Sequence, residues 1–144
     1  MREILFKAKR INNGEWVEGY YTECRGETFI GIDISSMFEI FCPPVIRWFK
    51  VSSETLRQFT GLCDKNGNKI WENDIVLVAE NVYSTVKFGL YHEASKSEKT
   101  HQGFYLESMG KYYYREELGY WAKESVVVGN IFDNPELSQE ESDE

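Results

Sequence analysis

The side chains able to do metal or nucleophilic chemistry in this chain are few: Cys24, Cys42, Cys63, His92 and His101. Structural zinc draws on closely spaced ligands, because a short chelate loop keeps the closure entropy small. No Cys-x-x-Cys occurs, and the two histidines stand nine positions apart in a polar stretch. No metal site is therefore expected, and no local context singles out a cysteine nucleophile beside a histidine. Three cysteines, widely spaced and odd in number, also argue against a disulfide framework, so reduced and buried thiols are the expectation. Asp64-x-Asn66-x-Asn68 imitates the start of a calcium loop, which requires Gly at its sixth position and a bidentate Glu at its twelfth. This chain has Lys69 and Ile75 there, and isoleucine cannot replace a carboxylate.

Other catalytic signatures are missing. There is no Gly-rich phosphate cradle, no Gly-x-Ser-x-Gly elbow and no His-Glu-x-x-His. Glu116 and Glu117 are adjacent, which points their carboxylates apart on either a strand or a helix. No enzyme activity and no cofactor are expected; an unrecognised enzyme stands as a third reading. The candidate binding residues are aromatic. Phe104, Tyr105, Tyr112, Tyr113, Tyr114, Tyr120 and Trp121 crowd one stretch, with Lys111 and Arg115 among them. The candidate interaction surface is Lys111, Tyr112, Tyr113, Tyr114, Arg115, Tyr120 and Trp121. Tyrosine, tryptophan and arginine concentrate binding energy at protein interfaces. Aromatics beside cations also stack the bases of single-stranded nucleic acid. The plain alternative is that alternate aromatics fill a small core.

Charge separates these readings. The net charge is -8, but Asp133, Glu136, Glu140, Glu141, Asp143 and Glu144 supply six acidic groups after residue 132 with no Lys or Arg. The preceding body then has eighteen acidic against sixteen basic residues. A nearly neutral body gives no support for nonspecific duplex binding, which needs a concentrated cationic face. The acidic end reads as a solvated tail. Hydrophobic content of 42% and aromatic content of 15% in 144 residues suit one globular domain or two small units. No apolar run approaches the roughly 20 residues that span a bilayer. The opening Met1-Arg2-Glu3-Ile4 lacks the apolar character of a secretory signal, so the cytoplasm is the expected location.

The elements that must position these residues are mostly strands. Residues 3–10 alternate, with Ile4, Phe6 and Ala8 on one face and Lys7 and Lys9 on the other. Asn12-Asn13-Gly14 supplies a turn, Glu15–Tyr21 a second strand, and Thr28, Ile30, Ile32 and Ile34 line one face of a third. Residues 35–57 are the least legible: the run Met37–Cys42 suggests a strand ending at Pro43-Pro44, Val45–Val51 another strand, and Ser53–Leu56 a helical turn. Phe59–Lys65 and Asn68–Glu72 form a hairpin about Asn66-Gly67, the dipeptide favoured by a two-residue type I′ turn. Ile75–Val78 is apolar on both faces and hence central. Val86–Leu90, Phe104–Leu106 and Val126–Val128 are further strands, with a short helix expected within 114–124. Short strands at regular spacing predict a small barrel or sandwich.

At the hairpin a family resemblance emerges. Gln58-Phe59-Thr60-Gly61-Leu62, then Asp64-Lys65-Asn66-Gly67, then Ile70-Trp71-Glu72-Asn73-Asp74-Ile75-Val76 resembles the central signature of the YopX-like phage and prophage proteins. Val128-Gly129-Asn130-Ile131-Phe132-Asp133-Asn134-Pro135-Glu136-Leu137 resembles that family's C-terminal signature. Phe6-Lys7-Ala8 and Trp16-Val17-Glu18-Gly19 are similar to its first strands. Asn73 stands where the family usually has Gly, and Asn also tolerates positive φ. The resemblance implies a small phage-encoded protein of the host cytoplasm with a C-terminal SH3-type barrel. It implies no activity, cofactor or catalytic residue, and none is carried over. Gly61, Asn66, Gly67 and Asn73 fall where the backbone turns and Ile70, Ile75 and Val76 where it is buried. The signature thus reads as hairpin construction.

The expected fold is mainly β (β or α+β), with an N-terminal β-meander (1–55), a C-terminal small SH3-like barrel (56–134), an acidic disordered tail (135–144) and at most one or two short helices. The expected function is that of a non-enzymatic bacteriophage accessory protein acting through protein contacts, as a homo-oligomer or on a host protein. The alternative is a single-stranded nucleic-acid-binding module using residues 111–121. No membrane association is expected.

Overall fold

The computed structural model describes residues 4–78, 82–92, 99–107 and 115–139. Among the described residues ten strands dominate, and helix is confined to single turns. The chain divides into two compact units, Met1–Phe59 and Thr60–Glu144, so the boundary falls at 59/60 rather than at 55/56.

The N-terminal unit is the expected meander. Strands β1 (Phe6–Lys9), β2 (Trp16–Cys24), β3 (Glu27–Asp33) and β4 (Ile46–Val51) pair antiparallel in sequence order. The beginning of β5 (Arg57–Cys63) pairs with the other side of β1, Phe6 opposite Gln58 and Lys7 opposite Arg57. An isolated bridge between Arg10 and Val51 brings the end of β1 back to β4. The alternation read from β1 and β3 is realised: Ala8, Ile30 and Val51 form the buried centre, with Phe6, Val17, Tyr21 and Leu56 packed around it. Burying each of the larger aliphatic groups contributes about 1.5–3 kcal/mol. On the opposite face Lys7, Lys9 and Arg57 surround the Trp16 ring, at 5.5, 5.3 and 4.4 Å from its centroid. Residues 53–55 form the expected helical turn, as a 3-10 helix.

The C-terminal unit holds a four-stranded antiparallel sheet ordered β10-β7-β8-β9. Its strands are β7 (Asp74–Val78), β8 (Val82–His92), β9 (Thr100–Leu106) and β10 (Val126–Asn130). The run Ile75–Val78 sits centrally, between β10 and β8, as its two apolar faces predict. Ahead of it, the second half of β5 pairs with β6 (Lys69–Trp71). Ile70, Val76, Val78, Val86, Leu106, Leu118, Trp121 and Ala122 make up the core. Among the described residues the α-helical turns are α1 (Ser35–Phe38), in the N-terminal unit, and α2 (Leu118–Trp121) and α3 (Pro135–Gln139), few and short as the mainly β expectation has it.

Several expectations are corrected. Met37–Cys42 is no strand: α1 takes its first residues and Glu39 caps it in the left-handed conformation, φ 55°. The hairpin turn is not type I′, because Asn66 lacks the positive φ that turn requires; only Gly67 has it, φ 83°. Asp64 N–H bonds to the Asn68 carbonyl and Gly67 N–H to the Asp64 carbonyl, which gives a three-residue loop closed by a left-handed glycine. All three cysteines are exposed, since Cys24 and Cys63 end strands beside turns and Cys42 lies in the β3–β4 connection. Residues 135–139, assigned to a disordered tail, form α3 with Leu137 half-buried; the remainder of that segment lies outside the described residues.

Candidate functional site

Of the candidate interaction surface singled out in the sequence, Arg115, Tyr120 and Trp121 lie among the described residues. Lys111, Tyr112, Tyr113 and Tyr114 lie outside the described residues. Trp121 is buried in the core of its unit, and its indole Nε1 donates to the Arg115 carbonyl at 2.9 Å. It therefore cannot serve as a contact residue, and core packing accounts for it. Tyr120 is exposed, with the Arg115 guanidinium 4.9 Å from its ring centroid. Arg115 also pairs with Glu117 at 2.9 Å in an exposed ion pair, an arrangement of little energetic weight.

The larger concentration of unburied apolar groups is in the N-terminal unit, where sequence reasoning placed a strand. Met37, Phe38, Ile40 and Phe41 are 75%, 55%, 50% and 70% exposed. Large apolar side chains so close together on a surface mark an interaction site more often than scattered ones do. The neck of the loop carrying them is built from polar contacts. Ser35 N–H and Oγ both donate to Asp33 Oδ1, Val45 N–H donates to Ser35 Oγ at 2.8 Å, and Ile34 N–H donates to the Val45 carbonyl at 2.8 Å. The Ser35 hydroxyl and amide bonds hold the Asp33 carboxyl below the usual carboxylate range, against a smaller opposing effect of burial. A clamp at residues 33–45 thus holds out a loop whose tip is hydrophobic. The signal available in the sequence was Ser35-Ser36 before the run and Glu39 within it, both ill-suited to a strand buried on two faces.

Two clefts open in the same unit. The larger, about 640 Å³, is lined by Lys9, Arg10, Glu27, Lys50, Ser53 and Glu54 among others. Its charges largely answer each other, as in the Lys50–Glu27 pair at 2.9 Å. The smaller, about 320 Å³, shares Arg10, Ile11 and Lys50 with it and adds Asn12, Arg47, Trp48 and Phe49. There the Arg10 and Arg47 guanidinium groups lie 4.5 and 4.9 Å from the centroid of the Phe49 ring. Gly31 stands opposite Trp48, and a Cβ on it would come within 2.7 Å of the indole. The missing side chain is what lets the ring lie across the strand. Among the described residues, no three of His, Cys, Asp and Glu are grouped to hold a metal ion.

The family signature, by contrast, is architectural. Asp64 is buried and accepts from Asn66 and Asn68 N–H at 2.9 Å and, sixty-three residues on, from Val127 N–H at 2.9 Å. Burial pushes its carboxyl up, yet the bonds from Val127, Asn68 and Asn66 together outweigh this and leave it below the usual range. Asp74 accepts from Trp71 N–H at 2.7 Å. Asn73 takes φ 69°, and its side-chain oxygen accepts from Lys87 Nζ at 3.0 Å. In the C-terminal signature, Asn130 Oδ1 accepts from Phe132 and Asp133 N–H. A Cβ at Gly129 would collide with the Asn134 side chain. Asp64, Asn73, Asp74, Asn130 and Asn134 of the two motifs are thereby used in building turns and joining strands.

The family model of the YopX protein matches residues 4–139. This chain belongs to the YopX family. Among solved structures, it is similar to the crystal structure of protein EF1440 from Enterococcus faecalis, with 19% identity, 95% of this chain and 99% of that one covered, and a TM-score of 0.48. A search of curated proteins finds no match. Among the described residues, no helix is long and apolar enough to cross a membrane.

Proposed function

We propose that this YopX-family protein works without catalysis, by binding another protein, either a second copy of itself or a protein of a bacterial host. The observation that carries this reading is the set Met37, Phe38, Ile40 and Phe41, exposed together on a loop whose neck is clamped by Asp33 and Ser35. A preorganised apolar tip loses little conformational entropy on docking, which is the condition for a useful contact surface. The surface differs from the one expected at residues 111–121. The phage origin and the host cytoplasm that the family resemblance implies belong to the same proposal.

Light scattering on a size-exclusion column tests it, using the native chain and a variant with Met37, Phe38, Ile40 and Phe41 all replaced by Ser. These side chains are exposed, so the variant keeps its melting temperature. An oligomer, or a complex with an added host protein, that the variant loses supports the reading. A monomer that retains nothing, or complexes unchanged in the variant, would sink it.

A second reading, single-stranded nucleic-acid binding, is favoured by one feature: Arg10 and Arg47 gathered on Phe49 beside the exposed Trp48. Its test is fluorescence anisotropy of a labelled oligothymidylate at two salt concentrations. Phosphate contacts release counterions, so this reading requires affinity to fall steeply as salt rises.

A further inference from the structure

Strand β4 presents an edge. Ile11 N–H bonds to the Lys50 carbonyl at 3.2 Å, and Ser52 N–H to the Lys9 carbonyl at 2.8 Å. Lys50 and Ser52 therefore turn these groups away from β3. In an antiparallel strand this direction alternates residue by residue, so the N–H and C=O of Ile46 and Trp48 point the same way. Beyond Ile11 the chain turns off through residues 11–13. Among the described residues no strand covers Ile46 and Trp48 on that side.

The smaller cleft lies at this edge. Ile11 and Arg10 are on one side of it, and Arg47, Trp48, Phe49 and Lys50 of β4 are on the other. None of its lining residues is acidic. Two guanidinium groups share the Phe49 ring, and neither has an ion pair among the described residues. Cations gathered without a carboxylate favour an incoming anion. Trp48, 47% exposed, adds a flat apolar surface beside them.

We infer that the β4 edge takes an extended acidic segment of a protein partner as an added strand. This rests on the protein-contact reading and names the chemistry of the partner. Strand addition joins the partner's main chain to the free groups of Ile46 and Trp48. The side chains of the added strand alternate, so that carboxylates meet Arg10 and Arg47 while apolar groups lie on Trp48. A nucleic-acid strand would satisfy the cations and the aromatic rings but would leave the main-chain groups of Ile46 and Trp48 unused. That difference favours a peptide.

The experiment uses the full chain and labelled ten-residue peptides that alternate Val with Glu, Gln or Lys, together with an oligothymidylate. The Glu peptide is expected to bind at least tenfold more tightly than the Gln and Lys peptides. Methylating alternate backbone nitrogens of the Glu peptide should remove binding, because the ladder bonds are lost while charge is kept. Arg10→Glu combined with Arg47→Glu should weaken binding at least tenfold. The exposed Arg47→Gln alone, which leaves the packing of Arg10 untouched, should weaken it severalfold. Binding indifferent to N-methylation or to peptide charge would overturn the inference. So would tighter binding of the oligothymidylate, lost in the same variants. Protein contacts abolished by the Ser replacements at 37–41 but kept by Arg10→Glu/Arg47→Glu would overturn the acidic-strand assignment while leaving the protein-contact reading intact.

Discussion

At the scale of single residues, Asp64 shows how a signature can be informative without being a site. Its flanking position beside a turn was legible; its reach to Val127 was not, because no local pattern encodes a bond across sixty-three residues. Replacing Asp64 with Ala leaves the N–H groups of Asn66, Asn68 and Val127 without their charged acceptor, and bonds to a charged acceptor are worth more than neutral ones. We expect a loss of about 3 kcal/mol in urea denaturation. The sign of the pH effect follows from the lowered carboxyl. The folded state holds the ionised form, so Asp64 contributes fully above the unfolded value of about 4, and this contribution is lost as pH falls through the lower folded value. Asp64→Asn should therefore flatten the acid limb of the stability profile. An acid limb unchanged in that variant would mean that other carboxylates, Asp33 among them, govern it.

At the scale of elements, the strands were readable and the β3–β4 connection was not. Alternation fixed the faces of β1 and β3, and two-sided apolarity placed β7 at a sheet centre, because those signals are local and periodic. Met37–Cys42 carries the same apolar content without a period that separates strand from buried turn. Its conformation is set instead by Ser35, whose hydroxyl joins Asp33 to Val45. Ser35→Ala removes both bonds and should cost about 1–2 kcal/mol. Faster amide exchange at Val45, with the rest of β4 unchanged, would locate the loss at the neck of the loop. Gly31 makes a second, more specific test of the same strand pair. Gly31→Ala puts a methyl group where the Trp48 ring lies, an overpacking expected to cost about 1–3 kcal/mol. The displaced indole should show a shifted fluorescence maximum, and peptide binding at the β4 edge should fall with it. Unaltered fluorescence would mean that Trp48 does not depend on the glycine for its place.

At the scale of the whole molecule, charge sets the apolar loop and the cationic edge against each other. The net charge of -8 and a sequence pI near 4.9 make two copies repel at neutral pH. The cations of the β4 edge are a local exception to that field. Contact through Met37, Phe38, Ile40 and Phe41 is opposed by the overall repulsion, and salt screens repulsion over a Debye length of about 8 Å at 0.15 M ionic strength. Self-association through the loop should thus strengthen between 50 and 500 mM salt (roughly threefold or more in its association constant), since the hydrophobic part of the contact is not screened. An acidic strand on Arg10 and Arg47 is held by opposite charges, and its affinity should fall over the same interval. Sedimentation velocity and peptide anisotropy, run on one protein preparation at matched salt concentrations, read both trends. Opposite slopes would separate the loop from the edge as two contact surfaces. A self-association that does not strengthen with salt, or a peptide affinity that does not fall, would remove the charge argument for that surface.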